Sequence, residues 1–365
     1  MKGVTILKKN YFFIFFSLFI TCFFVAGIFA KDRSFSAYEN RYLASYPSFS
    51  IAGCMDGSYM EAMDTYLNDQ FVLRDSWIRL KANTEKELLG RKVIKDVYLA
   101  DKDYLINRYT EANIDRALVA QNILYLNEFQ EKYAAEVMLV PTAGEILTKY
   151  LPSPVDQLDI PSLLSDAHTT IPAFELLKEH DTEPVYYKTD HHWTLLGAYY
   201  LYQSFVPDAY PYAATDICTD FQGTISKKLG GSRIFDSMAQ FQSPTGNHFQ
   251  VTYDNTTVTD SLYAPAYLDT TDQYSYYLDG NHAITKIENL SLADTAPSIL
   301  IVKDSFANTF ATMLCENYKT VYLIDLRYYN QSLADFIATE NIPEVLFLYN
   351  TMNFMQDKNL LKLLR

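Results

Sequence analysis

The pattern of apolar and polar residues divides the chain into an apolar segment, a helical region and a strand–helix alternation. Residues 11–30 are apolar and uncharged, which is long enough for a helix to cross a bilayer. Residues 57–89 repeat large apolar side chains at helical spacing. Further along, the pattern predicts a short hairpin over residues 97–106 and an amphipathic helix over residues 113–133.

Apolar runs that end in polar residues predict the buried strands of a parallel sheet. Because helix-type sequence separates these runs, the pattern favours an α/β fold, in which ligand chemistry lies at the carboxyl ends of the strands. The runs are residues 136–142, 298–304, 320–325 and 344–350.

One segment, from about residue 205 to 290, departs from this alternation and is rich in Tyr, Thr, Asp and Gly. We interpret it as a β-rich insertion. The predicted organisation is therefore a membrane anchor over residues 1–30, a stem and helical segment over 31–95, and an α/β domain over 96–365 that contains the insertion.

The flanks of the apolar segment indicate its orientation. Lys8 and Lys9 precede it, which favours a cytoplasmic N-terminus and an uncleaved anchor. A cleaved signal peptide ending at Ala30 is the alternative, although Ile28 is a large residue for position −3 of a cleavage site. We predict a single-pass protein of the cell membrane with an extracellular domain, and secretion as the alternative.

The amino-acid composition of the chain limits the kinds of partner that it can bind. The chain carries a formal charge of −14, and residues 1–30 contain lysines but no acid, so the exported part is more acidic still. This charge argues against nucleic acid and anionic lipid surfaces. The 30 Tyr and 23 Phe suit sugar faces, although core packing explains most aromatic residues equally well. The four cysteines lack zinc spacing, and we predict neither a metal nor a cofactor.

The strongest local signal is VYYKTDHHWT at residues 185–194. In an extended segment Asp190 and His192 would share a face, and a carboxylate beside an imidazole makes a general base. Two alternatives remain open. The pair could simply hold a loop, or Asp190, His191 and His192 could bind a metal.

A second signal is SILIVKDSFANTF, in which Ser305 follows a predicted buried strand and precedes helix-type sequence. A serine at such a turn is exposed, and the helix N-terminus favours a developing anion. Ser305 could instead be a helix N-cap. Because a serine nucleophile needs a base and the chain supplies one in His192, we predict a nucleophile.

These motifs resemble the DHHW family of exported Gram-positive proteins, which is related to the alginate O-acetyltransferase-like branch of SGNH hydrolases. The resemblance implies a flavodoxin-like, three-layer α/β/α domain with a triad of Ser305, His192 and Asp190. The Asp-x-His element precedes the serine, an order circularly permuted relative to ordinary SGNH enzymes. One departure is Lys303, which stands where SGNH enzymes commonly have glycine before the Asp-Ser pair.

Acyl transfer also needs donors for an oxyanion, and the Ser305 backbone N–H is the first candidate. The resemblance directs attention to polar residues after the next two strands and in the insertion, each of which could equally be an ion pair, a cap or a turn. The oxyanion or substrate candidates are Arg327, Asn350, Asn353, Gly280, Asn281 and Trp193.

The resemblance favours an O-acyltransferase, most simply an O-acetyltransferase, that modifies an exported polysaccharide or cell-wall glycan through an acyl-serine. It also implies a membrane-bound O-acyltransferase partner as acyl supplier. A carbohydrate esterase would use the same triad with water. A non-catalytic glycan-binding scaffold is motivated by the Tyr-rich residues 263–277 and by Lys303. A metal-dependent phosphoesterase would require further acidic clusters upstream.

Overall fold

The structure, a computed structural model, describes residues 2–36 and 41–365 and divides into two compact units. One unit comprises Met1–Gly90 and Lys227–Gly231, and the other comprises Arg91–Ser226 and Ser232–Arg365. All residues of the candidate site lie in the second unit.

The helices of the described residues alternate with strands in the second unit and dominate the first. Their bounds are α1 Lys2–Phe29, α2 Ile51–Asp56, α3 Ser58–Asp69, α4 Arg74–Asn83, α5 Arg116–Tyr133, α6 Ala143–Ile146, α7 Ile160–Leu163, α8 Ala173–Glu179, α9 Leu195–Phe205, α10 Thr224–Lys228, α11 Ala307–Leu314, α12 Leu333–Glu340 and α13 Thr351–Gln356.

The strands of the described part of the chain form one large sheet and three small ones. Their bounds are β1 Phe35–Ser36, β2 Arg41–Tyr42, β3 Val93–Ile94, β4 Val97–Leu99, β5 Leu105–Asn107, β6 Glu136–Val140, β7 Ala214–Phe221, β8 Asp236–Phe241, β9 Phe249–Tyr253, β10 Thr257–Thr259, β11 Ile284–Asn289, β12 Ser298–Lys303, β13 Thr320–Ile324 and β14 Glu344–Asn350.

In the first unit, α1 contains the one segment of the described residues, Tyr11–Phe29, that is apolar and long enough to cross a membrane. Its mean hydropathy is 2.6. The helical pattern predicted over residues 57–89 is confirmed as α3 and α4, followed by a π-helical turn over Thr84–Leu88. Leu73 separates the two helices because it adopts a positive φ of 58°.

In the second unit, the main sheet has the order β10-β9-β11-β13-β12-β14-β6. β6, β12, β13 and β14 run parallel and coincide with the four predicted runs. The prediction of a parallel sheet therefore holds for these four strands only. β9, β10 and β11 pair antiparallel, so the sheet as a whole is mixed. These three strands come from the segment that the sequence assigned to an insertion.

Helices cover both faces of the sheet. Alternate residues of β12 point to opposite sides, with Ile299 and Ile301 in one buried cluster and Leu300 and Val302 in the other. The first cluster includes residues of α8, α9 and α11, and the second includes residues of α5, α12 and α13. The fold is thus a three-layer α/β/α arrangement around two apolar cores.

The chain reverses direction across the sheet between β12 and β14. From β12 the chain passes through α11 to β13, the neighbour of β12 on one side. It then passes through α12 to β14, the neighbour of β12 on the other side. Because α11 and α12 pack on opposite faces, the carboxyl ends of β12 and β14 leave a crevice between them. Such topological switch points are where open α/β sheets bind ligands.

Candidate active site

The Asp-His-His-Trp motif lies in a tight loop, which corrects the prediction of an extended segment. Tyr186 and Trp193 form an isolated antiparallel bridge, and the chain between them bends back on itself. The backbone N–H of His192 donates to Asp190 Oδ1 over 3.0 Å, which closes the loop. Asp190 and His192 therefore meet through a side chain-to-backbone turn rather than through strand alternation.

Asp190, His192 and Ser305 form one continuous hydrogen-bonded chain. His192 Nδ1 lies 2.5 Å from Asp190 Oδ1, and His192 Nε2 lies 2.8 Å from Ser305 Oγ. Because an ionised carboxylate can only accept, Nδ1 donates to Asp190 and leaves Nε2 to accept the serine hydroxyl proton. This arrangement has the connectivity of a nucleophile, a base and an orienting acid.

Asp190 is held by a second strong contact that the sequence did not indicate. Its Oδ2 accepts from the Thr224 backbone N–H at 2.7 Å and from the Thr224 hydroxyl at 2.9 Å. Burial alone would raise the pKa of Asp190, but the neighbouring imidazoles and these donors outweigh it and hold that pKa well below its usual range. The carboxylate therefore stays ionised next to His192.

Gly223 makes this contact sterically possible. A Cβ on Gly223 would lie 2.2 Å from the Cβ of Asp190, a separation that real side chains do not reach. Gly223 also donates its backbone N–H to the hydroxyl of Thr189 at 3.0 Å. The Gly-Thr pair thus packs directly against the loop that carries the acid.

The imidazole of His192 lies flat against a buried aromatic ring. The centroids of His192 and Tyr274 are 3.7 Å apart, and the two planes differ by 8°. The Tyr274 hydroxyl lies 2.9 Å from the hydroxyl of Thr309 on α11, the helix that follows Ser305. Tyr274 therefore fixes the plane of the imidazole relative to the serine.

His191 packs beside the triad with its own partner. Its Nδ1 lies 2.8 Å from the Thr224 hydroxyl, and its ring lies 3.9 Å from that of His192. Burial, followed by the charge of His192, lowers the pKa of His191 to about 4. This histidine is therefore neutral at physiological pH.

Ser305 occupies the turn between β12 and α11. The N-cap of α11 is Phe306, which has no side-chain capping bond, so the alternative of Ser305 as an N-cap is not supported. Asp304 accepts from the Phe306 N–H at 2.9 Å with Oδ1, which shapes the turn. Ser305 is partly exposed, whereas its neighbours are buried.

Asp304 ties the serine turn to the end of β14. Its Oδ2 accepts from the Asn350 backbone N–H at 2.8 Å and from Asn353 Nδ2 at 2.7 Å. Burial raises the pKa of Asp304 above the ordinary value. The two strands that border the crevice are thus joined at their carboxyl ends.

Lys303 points away from the turn into a buried network. Its Nζ donates to Asn308 Oδ1 at 2.7 Å and to Asn281 Oδ1 at 3.0 Å. Asn308 in turn donates to the carbonyl oxygen of Gly280 at 2.8 Å. Burial lowers the pKa of Lys303 to about 8. The side chain that replaces the usual glycine therefore braces α11 against the 280–281 turn.

The other predicted substrate or oxyanion candidates separate into two groups. Gly280, Asn281 and Trp193 serve the surrounding structure, since the first two hold Lys303 and Asn308 while Trp193 is fully buried. Asn350 caps α13 with Oδ1 and donates through Nδ2 to the carbonyl oxygen of Val140 at 3.1 Å.

Arg327 and Asn353 form the second group, because both line an open cavity next to Asp304. Arg327 makes a paired contact with Asp325 through Nε at 2.9 Å and Nη2 at 2.6 Å. Asn353 also lines a small cavity of about 20 Å³ beside His191 and Asn350. These two residues lie at the crevice.

A metal at the motif would compete with these hydrogen bonds. One ligand atom from each of Asp190, His191 and His192 lies within 4.8 Å of the others. However, both ring nitrogens of His192 are engaged by Asp190 and Ser305. Binding through His192 would require one of these bonds to break, so the geometry favours the acid–base arrangement over a metal site.

Sequence reasoning missed Thr224, Gly223 and Tyr274 as parts of the site. Tyr274 belongs to the Tyr-rich residues 263–277 that the sequence analysis singled out, and this was a usable signal. Gly223 and Thr224 follow a strand in the segment interpreted as an insertion. Only the folded chain brings them to Asp190.

Comparisons with known proteins agree with the resemblance that the motifs indicate. Residues 162–324 match the model of the family described as DHHW protein. No protein of curated function matches the chain by sequence.

Among solved structures, a DHHW family protein from Eubacterium siraeum DSM 15702 is 25% identical with a TM-score of 0.57, over 73% of this chain and 93% of that one. Bacillus cereus PatB1, solved with a sulfonyl adduct, is 22% identical with a TM-score of 0.57, over 72% of this chain and 98% of that one. PatB1 itself, in a second structure, is 20% identical with a TM-score of 0.55, over 70% and 96% of the two chains.

The family match spans the Asp-His-His-Trp loop, the Gly223–Thr224 pair, Tyr274 and Ser305. The structural matches extend the similarity of fold to about 70% of the chain. The resemblance to the DHHW family is therefore confirmed, and residues 162–324 are the part of the chain that matches the family model.

Proposed function

We propose that this chain is a cell-envelope O-acyltransferase that passes an acyl group, most simply acetyl, to a hydroxyl of an exported polysaccharide or cell-wall glycan. The observation that carries the proposal is the continuous contact from Asp190 through His192 to Ser305. A serine 2.8 Å from an imidazole that is itself held by a buried carboxylate has the arrangement that nucleophilic acyl transfer requires.

The first half-reaction would acylate the enzyme. Ser305 Oγ attacks the carbonyl carbon of the donor while His192 Nε2 takes the hydroxyl proton. Asp190 stabilises the imidazolium through Nδ1. The carbonyl carbon then releases the leaving oxygen of the donor, which takes the proton from His192, and the acyl group remains on Ser305.

The second half-reaction would transfer the acyl group. A sugar hydroxyl gives its proton to His192 and attacks the acyl carbon. The bond to Ser305 Oγ breaks, and Oγ takes the proton back from His192. The Ser305 backbone N–H and the second amide hydrogen of Asn353 are the donors that we assign to the oxyanion, since Asn353 uses one hydrogen on Asp304.

The surroundings of the triad support this assignment. The serine lies at the carboxyl edge of the parallel strands, beside the switch-point crevice. The order of Asp190, His192 and Ser305 along the chain is the permuted order that the SGNH resemblance implies. An apolar N-terminal helix would hold the domain at the extracellular face of the cell membrane, where a membrane-bound acyltransferase partner could supply the acyl group.

The test is covalent labelling of the full-length chain in detergent with a fluorophosphonate, with a sulfonyl fluoride or with p-nitrophenyl acetate, followed by intact mass and peptide mapping. A sulfonyl probe is chosen because PatB1 carries a sulfonyl adduct. We expect one adduct on Ser305 that is lost in Ser305→Ala and at least a hundredfold slower in His192→Ala. Ser204→Ala, an exposed serine of α9, is the matched control.

A folded wild-type protein that acquires no adduct on Ser305 would exclude the proposal and leave the glycan-binding scaffold. If Ser305 is acylated, the fate of the acyl group separates the enzyme classes. An acyltransferase forms acylated oligosaccharide in preference to free acetate, whereas an esterase with the same triad releases acetate alone.

A further inference from the structure

An open cavity of about 680 Å³ lies at the C-terminal end of α11, within the second unit. The end of β8, the start of β9 and residues 260–263 border it. Its size is within the range of small-molecule sites. Ser305 precedes the N-terminus of α11, whereas Thr312 and Glu316 line this cavity at the other end of the helix. The cavity is therefore separate from the triad, and we call it the α11 cavity.

Glu316 is a buried carboxylate that has no cationic partner in the described part of the chain. It is only 1% exposed. Its Oε2 accepts from the Thr245 hydroxyl and from Asn247 Nδ2, each at 2.8 Å, while no recorded donor among residues 42–365 reaches Oε1. A buried carboxylate is costly unless a cation or a full set of donors compensates it. Glu316 therefore keeps one oxygen for a donor that enters the α11 cavity.

The rim of the α11 cavity is also rich in acceptors. Asp260 is exposed there, and its carboxylate has no recorded partner within residues 42–365. Gln242 and Ser243 add an exposed amide and an exposed hydroxyl. Among the described residues that line the cavity, the two acids are the charged ones and none is basic. This charge disfavours an anion and favours a ligand that donates hydrogen bonds and is positively charged.

An apolar wall lies opposite these acceptors in the same lining. Phe241, Phe249 and Leu262 belong to it, together with the partly exposed ring of Tyr263. The Tyr263 hydroxyl donates to the carbonyl oxygen of Phe241 at 3.2 Å, which fixes the ring. A bare metal ion has no use for such a wall, whereas the C–H face of a sugar packs on it. The lining thus favours an organic ligand that combines a positive charge, hydroxyl groups and an apolar face.

We propose that the α11 cavity binds an amino sugar with a free ammonium group, as a residue of an oligosaccharide. The ammonium would contact Glu316 Oε1 and Asp260, and the hydroxyls would meet the amide and hydroxyl side chains of the rim. A lysine side chain of a peptide would bring the ammonium but not these hydroxyls. Because the cavity is separate from the triad, the inference does not rest on the proposed acyltransferase function.

The experiment measures binding to the full-length chain in detergent by isothermal titration calorimetry, at a slightly acidic pH at which the sugar amines are protonated. The paired probes are the glucosamine hexamer and the N-acetylglucosamine hexamer, which share a backbone and differ in charge. Pentalysine forms the peptide arm. The Ser305→Ala protein is titrated in parallel, so that turnover does not contribute to the heat.

We expect the glucosamine hexamer to bind about tenfold more tightly than either the N-acetylated hexamer or pentalysine. Glu316→Gln should weaken its binding about tenfold, because the variant keeps an acceptor but loses the buried charge. Asp260→Asn should weaken it about threefold, since this acid is exposed. Asp269→Asn, the same change on an exposed acid outside the cavity, should leave the affinity intact.

A second pair of variants fills the α11 cavity without removing a polar group. Ala213 lines the cavity, so Ala213→Trp should abolish binding of the glucosamine hexamer. Ala214 is exposed and outside the lining, so Ala214→Trp is the matched control. Circular dichroism verifies the fold of every variant. If Glu316→Gln does not fold, Ala213→Trp and Asp260→Asn decide the matter.

Equal affinity for the two hexamers, or no binding of the glucosamine hexamer by the folded protein, would overturn the inference. Binding that survives Ala213→Trp would overturn it too. Tighter binding of pentalysine would replace the amino sugar by a basic peptide. None of these results touches the labelling of Ser305, and failure of that labelling would in turn leave the α11 cavity as a binding site.

Discussion

Trp193 donates its indole N–H to the carbonyl oxygen of Phe306 over 3.0 Å, and both residues are fully buried. The residue after His192 is thereby bonded to the residue after Ser305. This single bond joins the two loops directly beside the contact between the imidazole and the hydroxyl. The tryptophan of the motif thus has a structural role that complements the proposed chemistry of its neighbours.

Removal of this donor should cost stability. Trp193→Phe retains an aromatic ring but leaves the Phe306 carbonyl oxygen buried without its partner, which we expect to lower the unfolding free energy by about 1–3 kcal/mol. The smaller ring also leaves space in the core. Chemical denaturation of the purified variant measures the change. An unaltered denaturation midpoint with wild-type labelling of Ser305 would show that the bond contributes nothing.

The Thr224 hydroxyl should matter for the reaction rate because it holds Asp190 in place. Thr224→Val keeps the shape but removes the donor to Asp190 Oδ2, and we expect labelling of Ser305 to slow about tenfold. Thr224→Ser retains the hydroxyl and is the matched control, with a rate near that of wild type. Equal rates in both variants would mean that the backbone N–H of Thr224 suffices.

Tyr274 should act through its ring rather than its hydroxyl. Tyr274→Phe preserves the stacking on His192 and loses only the contact with Thr309, so we expect a rate within about threefold of wild type. Tyr274→Leu removes the flat surface and should lower the rate of Ser305 acylation about tenfold, without a matching rise in KM. Steady-state kinetics with p-nitrophenyl acetate separates kcat from KM. A Phe variant as slow as the Leu variant would contradict this assignment.

Because of Lys303, the unfolding free energy should change with pH in the alkaline range. Its pKa is lowered by burial to about 8 in the folded state, so the unfolded chain binds more protons between pH 8 and about 10.4. Below pH 8 the buried ammonium lowers the unfolding free energy by its full amount. This cost disappears as the pH rises from 8 towards about 10.4. Over that pH interval the unfolding free energy of the wild type should rise, relative to that of Lys303→Met, by up to roughly 3 kcal/mol.

The measurement is the difference in unfolding free energy between the two proteins at each pH, which cancels the titration of the tyrosines. A constant difference from pH 8 to 10 would show that the ammonium keeps an ordinary pKa. The substitution also removes one donor from each of the oxygens of Asn281 and Asn308, which sets the size of the offset but not its slope.

The sequence by itself determined the features that depend on local pattern. The four parallel strands follow from apolar runs that only a covered sheet can bury, and α5 follows from its amphipathic spacing. Asp190, His192 and Ser305 could be named as candidates from the sequence because few residue types can activate a serine. The strands and the helix needed only neighbouring residues, whereas the pairing of Ser305 with His192 rested on their chemistry and on the family resemblance.

Only the tertiary structure decided how distant segments meet. His192 and Ser305 are 113 positions apart, and their contact depends on the register and order of the strands, which local propensity does not encode. The partners of the triad, Thr224 and Tyr274, come from the segment that the sequence assigned to an insertion. Its strands β9 and β11 extend the main sheet because their pairing energy comes from long-range hydrogen bonds and shared burial.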